Sequence, residues 1–270
     1  MPEASRAARQ WSRHGAGWHK RAARAKRQLS TINYQLSTIN YQYPPFVLKS
    51  VFFDMDGVLY DSMPHHAEAW AKASDDFGLG ITRHDVFMHE GRTGFSTIDI
   101  FTRKHWGRPT THEEVDRIYA RKCEYYNQLP EAQPMPGALT LLQQIRADGF
   151  QIVLVTGSAQ HSLLSRLNRD YPGIFHSDLM VTGFDVTYGK PHPEPYLMAM
   201  HKACVRPDES MVVENAPLGV RSAVSAGAFT IACNTGPLPD QVLLDEGANL
   251  VLPSLQALSD RWSTIRNQIA

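Results

Sequence analysis

The chain has no run of about 18 apolar residues, so its sequence offers no membrane-spanning helix. Cysteine is scarce: Cys123, Cys204 and Cys233 are scattered, odd in number and never in a C-x-x-C arrangement. That spacing excludes a disulfide framework and a thiolate zinc site, and leads to the expectation of a reduced, cytoplasmic protein. Histidine is present but badly spaced for zinc. His65 and His66 are neighbours, and His89-Glu90 has no second histidine at the required offset. There is no G-x-x-x-x-G-K-[ST] phosphate loop, no G-x-S-x-G elbow and no apolar secretory stretch.

Net charge is zero over 270 residues, but the balance hides an asymmetry. Residues 1–46 carry eight Lys/Arg and one acid, Glu3; residues 47–270 carry 19 basic and 26 acidic residues, a body near −7. An acidic body is not expected to bind nucleic acid. Residues 28–41 repeat Gln-Leu-Ser-Thr-Ile-Asn-Tyr twice, too few copies for a solenoid. Segment 1–46 is read as a disordered or non-native extension, with targeting or nucleic-acid binding as its alternative. Core patterning begins at Phe46.

From there, short apolar strands alternate with helical stretches: Val51–Phe53, Gln151–Val155, Leu179–Thr182, Met211–Val213, Phe229–Ala232 and Leu250–Leu252. Such strands predict a doubly wound parallel sheet covered on both faces, an α/β fold. Segment 63–132 contains helical patterns and no convincing strand. It is expected to be a helical cap inserted into a core formed by 47–62 and 133–270.

The polar residues fall where ligands of such sheets sit, at the carboxyl ends of strands. The first strand ends Asp54-Met55-Asp56-Gly57, two carboxylates two residues apart on one side of the chain, then a glycine for a sharp turn. The second ends Thr156-Gly157-Ser158, a hydroxyl and free amides suited to an anion, or simply a helix cap. Lys190 follows the third, among prolines that fix its backbone. The fourth ends Glu214-Asn215. A carboxylate nucleophile splits a hard displacement in two, and phosphoryl transfer asks for positioning and charge neutralisation.

This ordered set of four strand ends resembles the haloacid dehalogenase superfamily over residues 47–265. The resemblance implies the following roles. Asp54 is the nucleophile that becomes an aspartyl phosphate, and Asp56 the general acid/base. Thr156, with Gly157 and Ser158, holds the phosphoryl oxygens, and Lys190 neutralises nucleophile and phosphate. Asp54, Asp56, Glu214 and Asn215 form the Mg²⁺ site. Dehalogenases lack the second aspartate, and P-type pumps carry threonine there, so Asp56 favours phosphatase or phosphomutase chemistry.

The helical insert resembles the cap of the β-phosphoglucomutase-like subgroup, which implies a substrate role for His66 and places Trp70 on the first cap helix. Two departures stand out. Asn215 replaces the usual aspartate, and Gly94 stands where the mutase arginine for the distal phosphate belongs, with Arg92 nearby. With Glu90 in the same cap loop, these departures resemble an inorganic pyrophosphatase branch in which a cap glutamate reaches the metal. The expected function is therefore Mg²⁺-dependent hydrolysis of inorganic pyrophosphate by a monomer without nucleic-acid or membrane partners. The alternative is a β-phosphoglucomutase or sugar-phosphate phosphatase.

Overall fold

A computed structural model describes residues 47–158 and 163–269. Its centre is a six-stranded sheet of β1 (Ser50–Phe53), β2 (Gln151–Val155), β3 (Met180–Val181), β4 (Ser210–Glu214), β5 (Phe229–Cys233) and β6 (Leu250–Leu252). Every neighbouring pair is parallel, in the order β3-β2-β1-β4-β5-β6. All four residues of β1 and all five of β4 are buried, as strands covered on both faces require. Chain order reverses between β1 and β4, which leaves a crevice at their carboxyl ends. Ser50 lies level with Gln151 on one side and Ser210 on the other. That register brings Asp54, Thr156 and Glu214 to the same rim.

Between β1 and β2 lie α1 (Met63–Phe77), α2 (Arg83–Met88), α3 (Gly94–Trp106), α4 (His112–Asn127) and α5 (Ala138–Ala147). Local signals fix their starts. Thr82 with Asp85 and Thr111 with Glu114 form reciprocal capping boxes at α2 and α4. The Thr93 hydroxyl caps α3 by accepting from Ser96 N at 3.2 Å. Helices α1 to α4 pack around an apolar cluster that includes Ala67, Trp70, Leu79, Ile98, Phe101 and Ile118. The sheet builds a separate cluster from Phe52, Val153, Val212, Tyr196 and Ala199. The outgoing and returning chains run side by side, with Asp61 N donating to Gln133 O and Met135 N to Leu59 O.

Beyond β2 the order continues α6 (Leu163–Asp170), β3, α7 (Glu194–Ala203), β4, α8 (Pro217–Ser225), β5, α9 (Asp240–Asp245), β6, α10 (Leu255–Ser259) and α11 (Trp262–Ile269). The sequence reading passed over α2, α9, α10 and α11, which have eight residues or fewer and give periodicity little to show. The predicted strand Leu179–Thr182 forms over Met180–Val181 only. The basic extension 1–46 and residues 159–162 lie outside the described residues. Among the described residues no helix is long and apolar enough to cross a membrane.

Candidate active site

Asp54 continues the sheet one residue past β1, its N–H donating to Val213 O at 3.1 Å. Its carboxylate therefore emerges at the β1–β4 crevice, in a largely buried position. The turn beyond needs Gly57 twice over: φ is +78°, and a Cβ there would sit 2.0 Å from Asn215 Nδ2.

Lys190 is the hub. Its ammonium donates to Asp54 Oδ1 at 2.5 Å, to Glu214 Oε1 at 2.6 Å and to Val155 O at 3.3 Å. All three ionisable side chains are shielded from water. Glu214 is held in turn by the Tyr196 hydroxyl, 2.6 Å from Oε1, and by Asn215 N, 3.1 Å from Oε2. Gly219 of α8 supplies the floor, because a Cβ there would lie 2.1 Å from Glu214 Oε1. Both Glu214 oxygens are thus engaged by protein donors. Glu214, expected at the metal, is bonded to Lys190 through one of them.

Asp56 faces a different environment. Its Oδ1 accepts from Ser62 Oγ at 2.6 Å and lies 3.3 Å from His66 Nε2. His66 Nδ1 is 3.0 Å from Lys122 Nζ, itself buried and set over the rings of Trp70, Tyr119 and Tyr126 at 5.7, 5.6 and 5.0 Å. An ammonium only donates, so Nδ1 accepts and the ring proton sits on Nε2, aimed at Asp56. His66, expected at the substrate, lies on the cavity wall and also contacts Asp56.

These surroundings drive the two aspartates apart. Burial pushes the Asp54 carboxyl up to about 8, with Glu214 and Asp56 adding to the rise and Lys190 opposing it. At Asp56 burial is outweighed by His66, Ser62 and Lys122, which hold it down at about 2. Burial, then the Lys122 charge, lowers His66; burial also lowers Lys122. Glu90 is raised well above the usual carboxylate range by burial and by Asp54.

Glu90 belongs to the loop between α2 and α3, yet its Oε1 accepts from Asn215 Nδ2 at 3.0 Å on the far side of the crevice. The other amide atom, Asn215 Oδ1, is buried without a hydrogen-bond partner. An orphaned buried oxygen beside two carboxylates with raised pKa values fits a hard cation. Among the described residues no group of three or more His, Cys, Asp or Glu forms a metal cluster. The set here instead mixes carboxylate and amide oxygens, which suits an ion that keeps several waters.

A cavity of about 140 Å³ joins these groups. Asp54, Asp56, His66, Glu90, Gly157 and Ser158 line it. Thr156, Lys190, Glu214 and Asn215 are not on its wall; the Thr156 hydroxyl accepts from Ser158 N at 3.0 Å and so shapes the turn. Sequence reasoning missed Lys122, Tyr196 and Ser62. Lys122 had a signal: it follows Val115 and Ile118 on the buried stripe of α4, where a solvated lysine is out of place.

A search of curated proteins finds Hexitol phosphatase A of Escherichia coli (strain K12), 30% identical over 213 residues, covering 78% of this chain and 93% of that protein. A phosphorylated carbohydrates phosphatase of Thermotoga maritima is 30% identical over 203 residues, covering 74% and 92%. Among solved structures, "Putative beta-phosphoglucomutase from Bacteroides vulgatus" is 52% identical with a TM-score of 0.82, covering 89% of this chain and 97% of that one. The haloacid dehalogenase-like hydrolase model matches residues 48–227, which include all four strand ends, and the chain belongs to that family of hydrolases.

Proposed function

We propose that the chain is a Mg²⁺-dependent phosphohydrolase for a small phosphorylated carbohydrate, acting through an aspartyl phosphate on Asp54, with segment 63–132 as its cap. The observation that carries this reading is the buried Asp54–Lys190–Glu214 array at the sheet crevice, open to a cavity that also holds Asp56. Both phosphatase relatives bear names that specify phosphorylated sugars or sugar alcohols, which supports the sugar-phosphate alternative over pyrophosphate.

The residues suit the steps. An Asp54 oxygen forms a bond to phosphorus while the bond to the leaving oxygen breaks, and Lys190 offsets charge on both nucleophile and phosphoryl group. Asp56, ionised in the resting site, gains proton affinity as a phosphate dianion arrives, takes a proton from solvent and gives it to the leaving oxygen. In the second step it takes the proton of a water that bonds to phosphorus as the bond from phosphorus to the Asp54 oxygen breaks, which frees Asp54 and phosphate. The Gly157 amide and the Ser158 side chain on the cavity wall would meet the phosphoryl oxygens, while the Ser158 N–H is held by the Thr156 hydroxyl. When bound, Mg²⁺ would neutralise charge on the transferring group; Asp54, the Asp56 carbonyl, Asn215 Oδ1 and Glu90 would hold it. Isomerisation is disfavoured relative to hydrolysis at one point: a Cβ at Gly94 would sit 2.5 Å from the Tyr119 ring, so the mutase arginine has no room there.

Inorganic pyrophosphate is retained as a second reading on one observation. Glu90 reaches Asn215 and closes a small chamber, which favours a compact, highly charged substrate. Phosphate release from hexitol phosphates, hexose phosphates and pyrophosphate at equal concentration separates the two. The sugar-phosphate reading expects kcat/KM to favour a sugar or sugar-alcohol phosphate. A preference for pyrophosphate that Glu90→Ala removes would replace it with the second.

Metal binding should release protons. Burial raises Glu90 well above the usual carboxylate range and Asp54 to about 8, so both hold their protons more tightly than a free carboxyl in the metal-free site, and a cation needs them ionised. Mg²⁺ affinity is therefore expected to rise with pH, by up to about tenfold per unit for each proton released. Calorimetry in two buffers of different ionisation enthalpy reads the proton count directly. A count of zero would contradict the placement of the metal beside Asp54 and Glu90.

A further inference from the structure

The loop that carries Glu90 reaches Asn215 by passing between two core loops, and the contact leaves almost no space. A Cβ on Gly157 would lie 3.5 Å from Gly91 O. A Cβ on Gly91 would lie 3.1 Å from Lys190 Cδ. The tightest point is Gly189: a Cβ there would sit 2.9 Å from Thr93 Cγ2, with Thr93 N at 3.6 Å and Gly91 O at 3.9 Å. Gly189 is not among the positive-φ glycines, so its backbone does not require glycine. What requires it is the methyl group of Thr93, four residues after His89 and three after Glu90 in the cap loop.

We propose that Gly189 and Thr93 are a matched positioning pair that seats the Glu90 loop on the core. The inference rests on the phosphohydrolase reading for its kinetic consequence, though not for its structural one. Thr93 does two separable jobs. Its hydroxyl caps α3, and its methyl packs into the gap left by Gly189. A side chain at 189 would lift the cap loop, withdraw Glu90 from Asn215 and open the chamber to water. Neither residue touches the reacting atoms; each acts through where Glu90 comes to rest.

Gly189→Ala in the full-length protein tests this, because alanine is compatible with the backbone and adds only the clashing methyl. If the closed arrangement becomes a minor state, apparent substrate affinity falls by the closed fraction while saturated turnover survives. The expected result is a KM raised roughly tenfold or more with kcat changed less than about threefold, the scale of overpacking by one methyl. Thr93→Ser keeps the capping hydroxyl and removes Cγ2. Alone it should leave kinetics near wild type, and in the double variant it should restore KM. The second readout needs no activity. Amide exchange across residues 89–93 of the substrate-free protein should quicken in Gly189→Ala and return in Gly189→Ala/Thr93→Ser.

A fall in kcat with unchanged KM, or a double variant as impaired as Gly189→Ala, would mean that the alanine acts on Lys190 next door and would overturn the pairing. So would unchanged exchange in Gly189→Ala. If the wild-type protein hydrolyses none of the phosphates, the functional reading fails, while the exchange data still decide the seam.

Discussion

Asp54→Asn is expected to stop phosphate release from every substrate, a loss of roughly four orders of magnitude or more, as when a covalent nucleophile is removed elsewhere. Asparagine keeps the shape of the side chain but offers an amide where the reaction needs a carboxylate oxygen. The fold should survive the exchange. The position is buried, and burial already works against its charged form. Lys190 would keep its ion pair to Glu214 at 2.6 Å and its contact to Val155 O. An unfolded variant would leave the test to Asp54→Glu, which retains the charge and misplaces the oxygen by one methylene. A variant with wild-type turnover would remove Asp54 from the chemistry.

Lys190→Met is expected to damage both stability and activity. It leaves Asp54 and Glu214 facing one buried space with no cation between them, and removal of one partner from a buried pair typically costs about 3–5 kcal/mol. Loss of charge neutralisation should also lower kcat by roughly a hundredfold or more. The sign of the pH effect follows from the carboxylates. Without the ammonium the Asp54 carboxyl, already raised by burial, rises further above its unfolded value. The folded state then holds more protons than the unfolded chain between those values, and stability falls as pH rises through that window. The deficit of Lys190→Met relative to wild type should therefore grow from mildly acidic to mildly alkaline pH in denaturant titrations. A deficit that is flat with pH would mean that the lysine acts mainly by packing.

The sequence carried the strands of the core and the identity of its rim because both rest on short-range signals. Strands buried on both faces read as unbroken apolar runs, and polar residues appear only where those runs stop. Val51–Phe53 followed by Asp54 and Met211–Val213 followed by Glu214 are the clearest cases. What the sequence hid were contacts whose partners are far apart in the chain. The bonds that Lys190, Tyr196 and the amide of Asn215 make to both Glu214 oxygens were not legible in the chain. Nor was the placing of His66 between Asp56 and Lys122 on the cavity wall. Lys122 was legible only by position, on the stripe of Val115 and Ile118, because residue type alone does not set it apart in a helix rich in charged residues. Glu90 was singled out by resemblance alone. Its hydrogen bond to Asn215 spans 125 residues and has no local signature.

The central claim is that a phosphoryl group passes through Asp54, and rapid acid quench during turnover tests it most directly. Protein mixed with Mg²⁺ and its best phosphate substrate, quenched within one turnover and digested, is predicted to yield the peptide containing Asp54 with the added mass of one phosphoryl group. The label should be stable in acid and lost on exposure to hydroxylamine, as an acyl phosphate is. Phosphate release with no labelled peptide at any quench time, or a label on a different side chain, would contradict the account.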